Sequence, residues 1–172
     1  MKEIELKFAV RDFSPIRTKL RSLGAALLWK GREENWFYSR SNSNLQGKRR
    51  VLRIRTSDIS KLTLKTNKHI SKGVKVADEY EVAIDNPTLM KKILTETGFS
   101  KTFEYSKTRE HWKLGNSFVE LDTLRDDRKF VEIESTHTGI KKFARKLDLD
   151  FSRSTTDGYV ALLTKKGTLR KS

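Results

Sequence analysis

The sequence predicts an α+β fold: an eight-stranded antiparallel β-barrel, closed or nearly closed, with helices packed outside it. Three observations predict it. Segments with period-two alternation recur from Glu3 to Ser135. Nearly all of them place charged residues on one face and Ile, Leu or Val on the other. Two of them run into a Pro-started amphipathic stretch that ends at Gly, which reads as a helix packed over the apolar face.

The elements follow in order. EIELKFAV, residues 3–10, alternates Glu3, Glu5 and Lys7 with Ile4, Leu6 and Phe8. The helix after it has Ser14 as cap, Pro15 at the first position, Ile16, Leu20 and Leu23 on one face, and Gly24 as its stop. Strand candidates then cover 26–31, 34–39, 51–56, 61–66 and 79–84. A second helix has Asn86 as cap, Pro87 at its first position, a stripe of Leu89, Met90, Ile93 and Leu94, and Gly98 as terminator. Strands at 104–114 and 117–124 meet at a Gly115-Asn116 turn, and another spans 129–135. Helices are expected over 139–147 and 155–166. The two halves echo each other, strand with Glu-x-Glu into Pro-started helix, as in a duplicated βα unit. The polar stretch SRSNSNLQGKRR and the basic stretch TNKHISKGVKV read as crossing loops, and residues 165–172 as a frayed basic tail. No interdomain linker interrupts residues 1–172, which read as one domain.

Composition excludes several classes. The chain of 172 residues has no cysteine, so disulfides and thiolate metal sites are ruled out. His69, His111 and His137 lack ligand spacing, and no Gly-rich phosphate loop is present. No apolar run suits a membrane span or a signal segment, so the expected location is the cytoplasm, with no membrane partner. The net charge of +15 implies attraction to anions without choosing among nucleic acid, phosphorylated metabolites and anionic lipid.

The placement of charge narrows that choice. Arg53 and Arg55 flank Ile54, Lys65 follows Leu64, Glu79 and Glu81 flank Tyr80, Lys107 and Arg109 alternate, Glu120 and Asp122 flank Leu121, and Glu132 and Glu134 flank Ile133. An ordinary solvated sheet face mixes Thr, Ser and charges of both signs, whereas here acids and bases are grouped by strand. With the apolar face turned toward helices, the charged face lines either a broad surface or a barrel interior. Like charges crowded in a lumen call for counter-ions. Carboxylates suit Mg²⁺ or Mn²⁺ shared with phosphates, and Arg and Lys suit phosphate oxygens. A polyphosphate with divalent ions meets both requirements, while a row of acids argues against a nucleic-acid track.

The ordered motifs E-x-E-x-K (Glu3, Glu5, Lys7), R-x-R (Arg53, Arg55), the strand lysine Lys65, E-x-E (Glu79, Glu81), K-x-R (Lys107, Arg109), the acidic strand (Glu120, Asp122) and a final E-x-E (Glu132, Glu134) resemble the CYTH superfamily, the triphosphate tunnel metalloenzymes. The resemblance spans residues 1 to about 163. It implies a tunnel of eight antiparallel strands that binds a triphosphorylated small molecule with Mg²⁺ or Mn²⁺. Class IV adenylate cyclases, thiamine triphosphatases and inorganic triphosphatases belong to that superfamily. The stretch SRSNSNLQGKRR departs from the acidic or His-rich segment that cyclase-like members often carry there.

By the same resemblance Glu3, Glu5, Glu120, Asp122, Glu132 and Glu134 are the expected metal ligands, with Glu120 and Asp122 competing for one ion from the same face. Lys7, Arg53, Arg55, Lys65, Lys107 and Arg109 are expected to hold phosphate oxygens and offset transition-state charge. Glu79 and Glu81 orient these bases or bind a second ion. Three functions stand at this point: a metal-dependent triphosphate hydrolase, a class IV cyclase, and a non-catalytic polyphosphate or nucleic-acid binding module. The oligomeric expectation is a monomer or homodimer.

Overall fold

The structure is a computed structural model that describes residues 1–40 and 50–164. Eight antiparallel strands close on themselves: β1 (Lys2–Val10), β2 (Ala26–Arg40), β3 (Val51–Thr56), β4 (Lys61–Ser71), β5 (Val74–Ala83), β6 (Phe99–Leu114), β7 (Ser117–Leu124) and β8 (Lys129–Glu134). The order around the barrel is β5-β4-β3-β2-β6-β7-β8-β1, and β1 pairs back onto β5. A ninth strand of two residues, β9 (Ser154–Thr155), lies outside the ring against Lys7 and Phe8 of β1. The end where β1 begins is termed the lower end here, and the end where it finishes the upper.

The charged faces point inward and the apolar faces outward. Helix α1 (Ser14–Ser22) and helix α3 (His137–Lys146) cover β1, β6, β7 and β8, burying Leu6, Phe8, Ile16, Leu20, Val119, Val131, Ile133 and Ile140 in one core. Arg17 of α1 grips the buried Glu110 of β6 through Nε and Nη2 at 2.8–3.2 Å, fixing the helix across the barrel wall. Helix α2 (Pro87–Glu96) packs Leu94 against Ile54 and Tyr38. Helix α4 (Tyr159–Thr164) lies at the upper end, where Tyr159 packs with Leu124 and Phe130.

Several expectations are corrected. The candidates 26–31 and 34–39 are one strand, because Gly31 continues the pairing opposite Arg109 and nothing between them turns the chain. The basic stretch TNKHISKGVKV is no crossing loop: β4 and β5 extend through it and turn at Lys72 and Gly73, both at positive φ (50° and 78°), as a tight primed hairpin requires. Ser14 does not cap α1; its backbone N and its Oγ both donate to Asp12 Oδ1 at 3.1 Å. Asn86 does cap α2, accepting from the Leu89 N–H at 2.9 Å. The last helix begins only at Tyr159, since the stretch before it is held by β9 on β1, and the expected residues 165–166 lie outside the described residues. The described helices also leave part of the outer wall uncovered: Leu64, Tyr80 and Val82 of β4 and β5 are 37%, 60% and 57% exposed among the described residues. Residues 41–49 of the polar loop and the tail 165–172 lie outside the described residues.

Candidate active site in the barrel lumen

Strand register stacks the inward charges. Glu5 stands opposite Glu134, Lys7 opposite Glu132, Glu120 opposite Glu132, Arg109 opposite Asp122, and Lys65 opposite Glu79. The lumen and its mouths form a cavity of about 1290 Å³. It is lined by Glu3, Glu5, Lys7, Arg53, Arg55, Lys65, Glu79, Glu81, Lys107, Arg109, Glu120, Glu132 and Glu134. Asp122 alone of the residues expected at the site sits behind this lining, fully buried at 0% exposure beneath Arg109 and Lys107.

One sector is a closed ionic knot. Arg109 donates through Nε and Nη2 to both oxygens of Asp122 (2.7 and 2.6 Å) and pairs through Nη1 with Glu120. Lys107 Nζ lies 3.0 Å from Asp122 and 3.3 Å from Glu33. Tyr159 donates its hydroxyl to Asp122 Oδ2 at 2.5 Å, and the ammonium groups of Lys7 and Lys107 lie 5.1 and 4.5 Å from its ring centroid. Burial opposes ionisation of Asp122 and Glu33. Arg109 and Lys107 overcome it and hold both carboxyls below their ordinary range.

The neighbouring sector is under-compensated. Lys65 Nζ lies 2.5 Å from both oxygens of Glu3, and Lys7 and Lys75 Nζ lie 2.7 and 2.6 Å from Glu5. Those cations hold Glu5 well below its ordinary range despite its burial. Glu3 is nevertheless pushed up to about 8, first by burial and then by the charges of Glu5 and Glu79. Glu134 is pushed up to about 7 by burial, Glu132 and Glu79, and has no ion-pair partner among the described residues. This wall holds more negative charge than its lysines neutralise.

The third sector has the opposite imbalance. Arg53 and Arg55 each keep a buried Nε–H without an acceptor among the described residues. Their remaining contacts are modest: Arg53 Nη1 reaches Asn35 at 3.4 Å, and Arg55 Nη2 reaches Glu81 at 3.2 Å. Glu81 also accepts from Lys61 and Thr63 at 2.8 Å, and although burial works against it, Arg55 and these donors bring its carboxyl down to about 2. Two orphaned guanidinium donors facing a cavity match the planar acceptor geometry of a phosphate.

The residue types fit a divalent cation: hard carboxylate oxygens on one wall, with surplus charge that a cation would relieve. Among the described residues no three carboxylates or histidines already form a finished cage, since lysines and arginines occupy most of them.

Some lumen residues escaped the sequence reading. Glu33 and Asn35, 1% and 0% exposed, share the inward face of β2 with Phe37, a periodicity hidden once residues 32–33 were left between two strand candidates. Lys75 belonged to the supposed loop and yet faces Glu5 from β5. Tyr159 carried no signal that a helix would send one phenol down into the lumen.

A family model for the CYTH domain matches residues 1–153. The Methanocaldococcus jannaschii protein named "Putative adenylate cyclase MJ0240" is 24% identical over 148 residues, 86% of this chain and 85% of that protein. Among solved structures, PH1819 from Pyrococcus horikoshii superposes with a TM-score of 0.79 at 25% identity, covering 96% of this chain and 99% of that one. HpAC1 from Hippeastrum, described as revealing a dominant triphosphatase activity, superposes with a TM-score of 0.71 at 18% identity over 96% and 97% of the two chains. With its closed eight-stranded barrel and inward E-x-E-x-K strand, the chain belongs to the CYTH domain family.

Proposed function

We propose that the protein is a divalent-metal-dependent phosphohydrolase acting on a triphosphate-containing substrate: inorganic triphosphate, thiamine triphosphate or a nucleoside triphosphate. The observation that carries this reading is the opposed imbalance inside one cavity. Arg53 and Arg55 hold buried donors without acceptors among the described residues, and Glu3 and Glu134 are carboxylates short of positive charge. A phosphate chain with Mg²⁺ or Mn²⁺ supplies what each side lacks.

Glu3, Glu5, Glu132 and Glu134 would hold the ion, with Glu79 beside them. Glu120 and Asp122 take the supporting role of fixing Arg109, because both are already engaged by it. When bound, a divalent ion would supply neutralisation and polarisation of the phosphoryl oxygens. Arg53, Arg55, Lys65 and Lys7 grip the non-bridging oxygens and hold the chain extended, so charge developing on the phosphoryl oxygens meets fixed cations. Lys107 and Arg109, locked against Asp122, set the shape of the upper half of the lumen. A water aligned by a lumen carboxylate attacks the terminal phosphorus in line with the bridging oxygen; its proton passes to that carboxylate, the P–O bond to the bridge breaks, and orthophosphate and the shortened phosphate chain leave.

The cyclase reading differs only in nucleophile, the ribose 3′-hydroxyl of ATP, and is favoured by the name that the Methanocaldococcus relative carries. Incubation with each triphosphate and Mg²⁺ or Mn²⁺, followed by product separation, distinguishes the two. Orthophosphate release supports the hydrolase, and cyclic AMP with pyrophosphate supports the cyclase. Absence of turnover with every triphosphate and both metals would leave only a binding module.

A further inference from the structure

Among the described residues six lysines line the cavity. Lys7, Lys61, Lys65, Lys75 and Lys107 each form an ion pair with a carboxylate. The sixth, Lys68, has no such partner among the described residues. Strand register explains how it comes to face the lumen. Strand β4 climbs toward the upper end, because its partner β5 descends along β1 from the Glu5–Lys75 pair to the Lys2–Asp78 pair. Residues paired across a ladder share a face. Below Lys68, Thr63 pairs with Glu81 and Lys65 with Glu79, so the odd-numbered residues of β4 face inward. Above it, Ile70 pairs with Lys75, whose ammonium reaches Glu5 in the lumen, so there the even-numbered residues do. Between Thr66 and His69, β4 carries one residue more than β5, which makes a β-bulge. Without it Lys68 would point outward with Leu64 and Thr66.

The bulge is fastened from outside. Asn67 takes the left-handed conformation, at φ 50°, which Asn tolerates better than most residues. Its Nδ2 donates to Asp78 Oδ2 at 2.7 Å, and its carbonyl oxygen accepts from His69 Nδ1 at 2.8 Å. None of these three residues belongs to the cavity lining. Lys68 itself is half-buried. Burial, then the like charges of Lys75 and Lys65, push its ammonium below the ordinary lysine range, and Glu5 and Glu3 offset this only in part. A desolvated cation beside two others, with no carboxylate of its own, is matched by an anion. Pairing of β3 with β4 sets Arg55 beside Lys61, Arg53 beside Thr63 and Val51 beside Lys65. The cations of this wall therefore rise in the order Arg55, Arg53, Lys65, Lys68.

We propose that Lys68 is a further phosphate-binding residue of the lumen, presented by the β4 bulge and held in position by Asn67, His69 and Asp78, and that it selects a chain of three phosphates over a chain of two. This rests on the triphosphate reading above and deepens it. A chain anchored on the free guanidinium donors of Arg53 and Arg55 rises past Lys65 and meets Lys68 at its upper end. Lys65 and Lys75 serve Glu3 and Glu5 first, whereas Lys68 brings a compact point charge that no carboxylate among the described residues has claimed. Asn67, His69 and Asp78 are positioning residues that act through it.

Calorimetric titration of the full chain with Mg²⁺ and three ligand pairs tests the assignment: inorganic triphosphate against pyrophosphate, ATP against ADP, and thiamine triphosphate against thiamine diphosphate. For the triphosphate that the wild type binds, Lys68→Met weakens affinity about tenfold and leaves the matching diphosphate within about twofold, as expected for one lost contact to a charged group. Lys68→Arg, which restores the charge, stays within about threefold of wild type for both. In ligand-free thermal melts Lys68→Met is no less stable than wild type, because it removes a cation from beside Lys65 and Lys75; a purely structural lysine would lower the midpoint. Asp78→Ala, which releases Asn67, weakens the triphosphate about threefold and adds nothing in the Lys68→Met background. Unchanged triphosphate affinity in Lys68→Met, equal losses for the two members of a pair, or a ligand-free midpoint that falls would each overturn the assignment of Lys68 while leaving the triphosphate site standing. A full Asp78→Ala effect in the Lys68→Met background overturns the positioning role. A wild type that binds no triphosphate overturns the functional proposal and this inference with it.

Discussion

Tyr159 donates its phenolic hydroxyl to Asp122 Oδ2 at 2.5 Å, so the last described helix is tied by one hydrogen bond to the most deeply buried carboxylate of the lumen. Asp122 also receives Arg109 and Lys107, and Tyr159 is thus a fourth contact on a knot already neutralised. Tyr159→Phe keeps the ring beneath Lys7 and Lys107 and removes only that bond. The expected cost is about 1.5 to 3 kcal/mol, the range for a hydrogen bond to a charged acceptor, measured by urea denaturation. An unchanged midpoint would show that the bond adds nothing to stability.

Removing Arg109 is far more damaging, because it lies between Asp122, Glu120, Glu33 and Glu132. Arg109→Met fills much of the same volume and leaves buried acids facing one another. The expected destabilisation is about 3 to 5 kcal/mol, the usual result of deleting one partner from a buried ionic group. Arg53→Lys, in contrast, retains charge and fold. It loses the planar fork and weakens triphosphate binding about tenfold in calorimetry.

The surplus carboxylates make stability depend on pH. Glu3 and Glu134, pushed up to about 8 and about 7, titrate near 4.5 in the unfolded chain. Between those values the folded protein holds protons that the unfolded one has released, so stability falls as pH rises from about 5 to 8. His111, pushed below its ordinary 6.5, works in the opposite direction only up to about that pH. Glu5, Glu33 and Asp122 are held low, and their contribution is lost only below the ordinary carboxylate range. In metal-free buffer the thermal midpoint therefore drops by a few degrees from pH 7 to 8, and millimolar Mg²⁺ raises it more at pH 8 than at pH 6. Circular dichroism melts check both; a midpoint that climbs between pH 7 and 8 without metal contradicts the charge surplus.

Turnover depends on the acidic wall and not on the hairpin tip. Glu5→Ala and Glu134→Ala each lower kcat/KM for triphosphate by at least about 100-fold, whereas Lys72→Ala, at the β4–β5 turn, stays within about twofold. Phosphate release assays with far-ultraviolet spectra of each variant make the comparison. Equal rates in all three variants would remove the lumen from the chemistry.

The barrel was legible because its signal is periodic and repeated. Glu3, Glu5 and Lys7 raise a question as one strand, and the same alternation at Arg53, Lys65, Lys107, Glu120 and Glu132 answers it, since ionic faces on so many strands need a common interior. Less legible was anything set by local geometry rather than period. Two strand candidates ending at Gly31 and restarting at Glu34 leave Glu33 between them, so Glu33 and Asn35 were assigned to no shared face, whereas β2 runs straight through. Lys72-Gly73 reads as loop composition, and its positive φ values make it a hairpin that carries Lys75 to Glu5. Division of labour among the acids was illegible too: alternation places Asp122 and Glu120 on the lumen face, but only the packed structure reveals that Arg109 claims both.

Strand β1 also governs how the ring is assembled. It joins β5 through Lys2 to Glu5 on one side and β8 through Glu5 to Val10 on the other, so Glu5 is a hinge-pin where the two seams overlap. Because β8 leaves the ribosome long after β1, the hoop stays open through most of synthesis, with Ile4, Leu6 and Phe8 uncovered while they wait. Refolding on rapid dilution from denaturant is therefore expected to show a slow, long-range closing step, with the ionic lumen incomplete until the two seams of β1 meet.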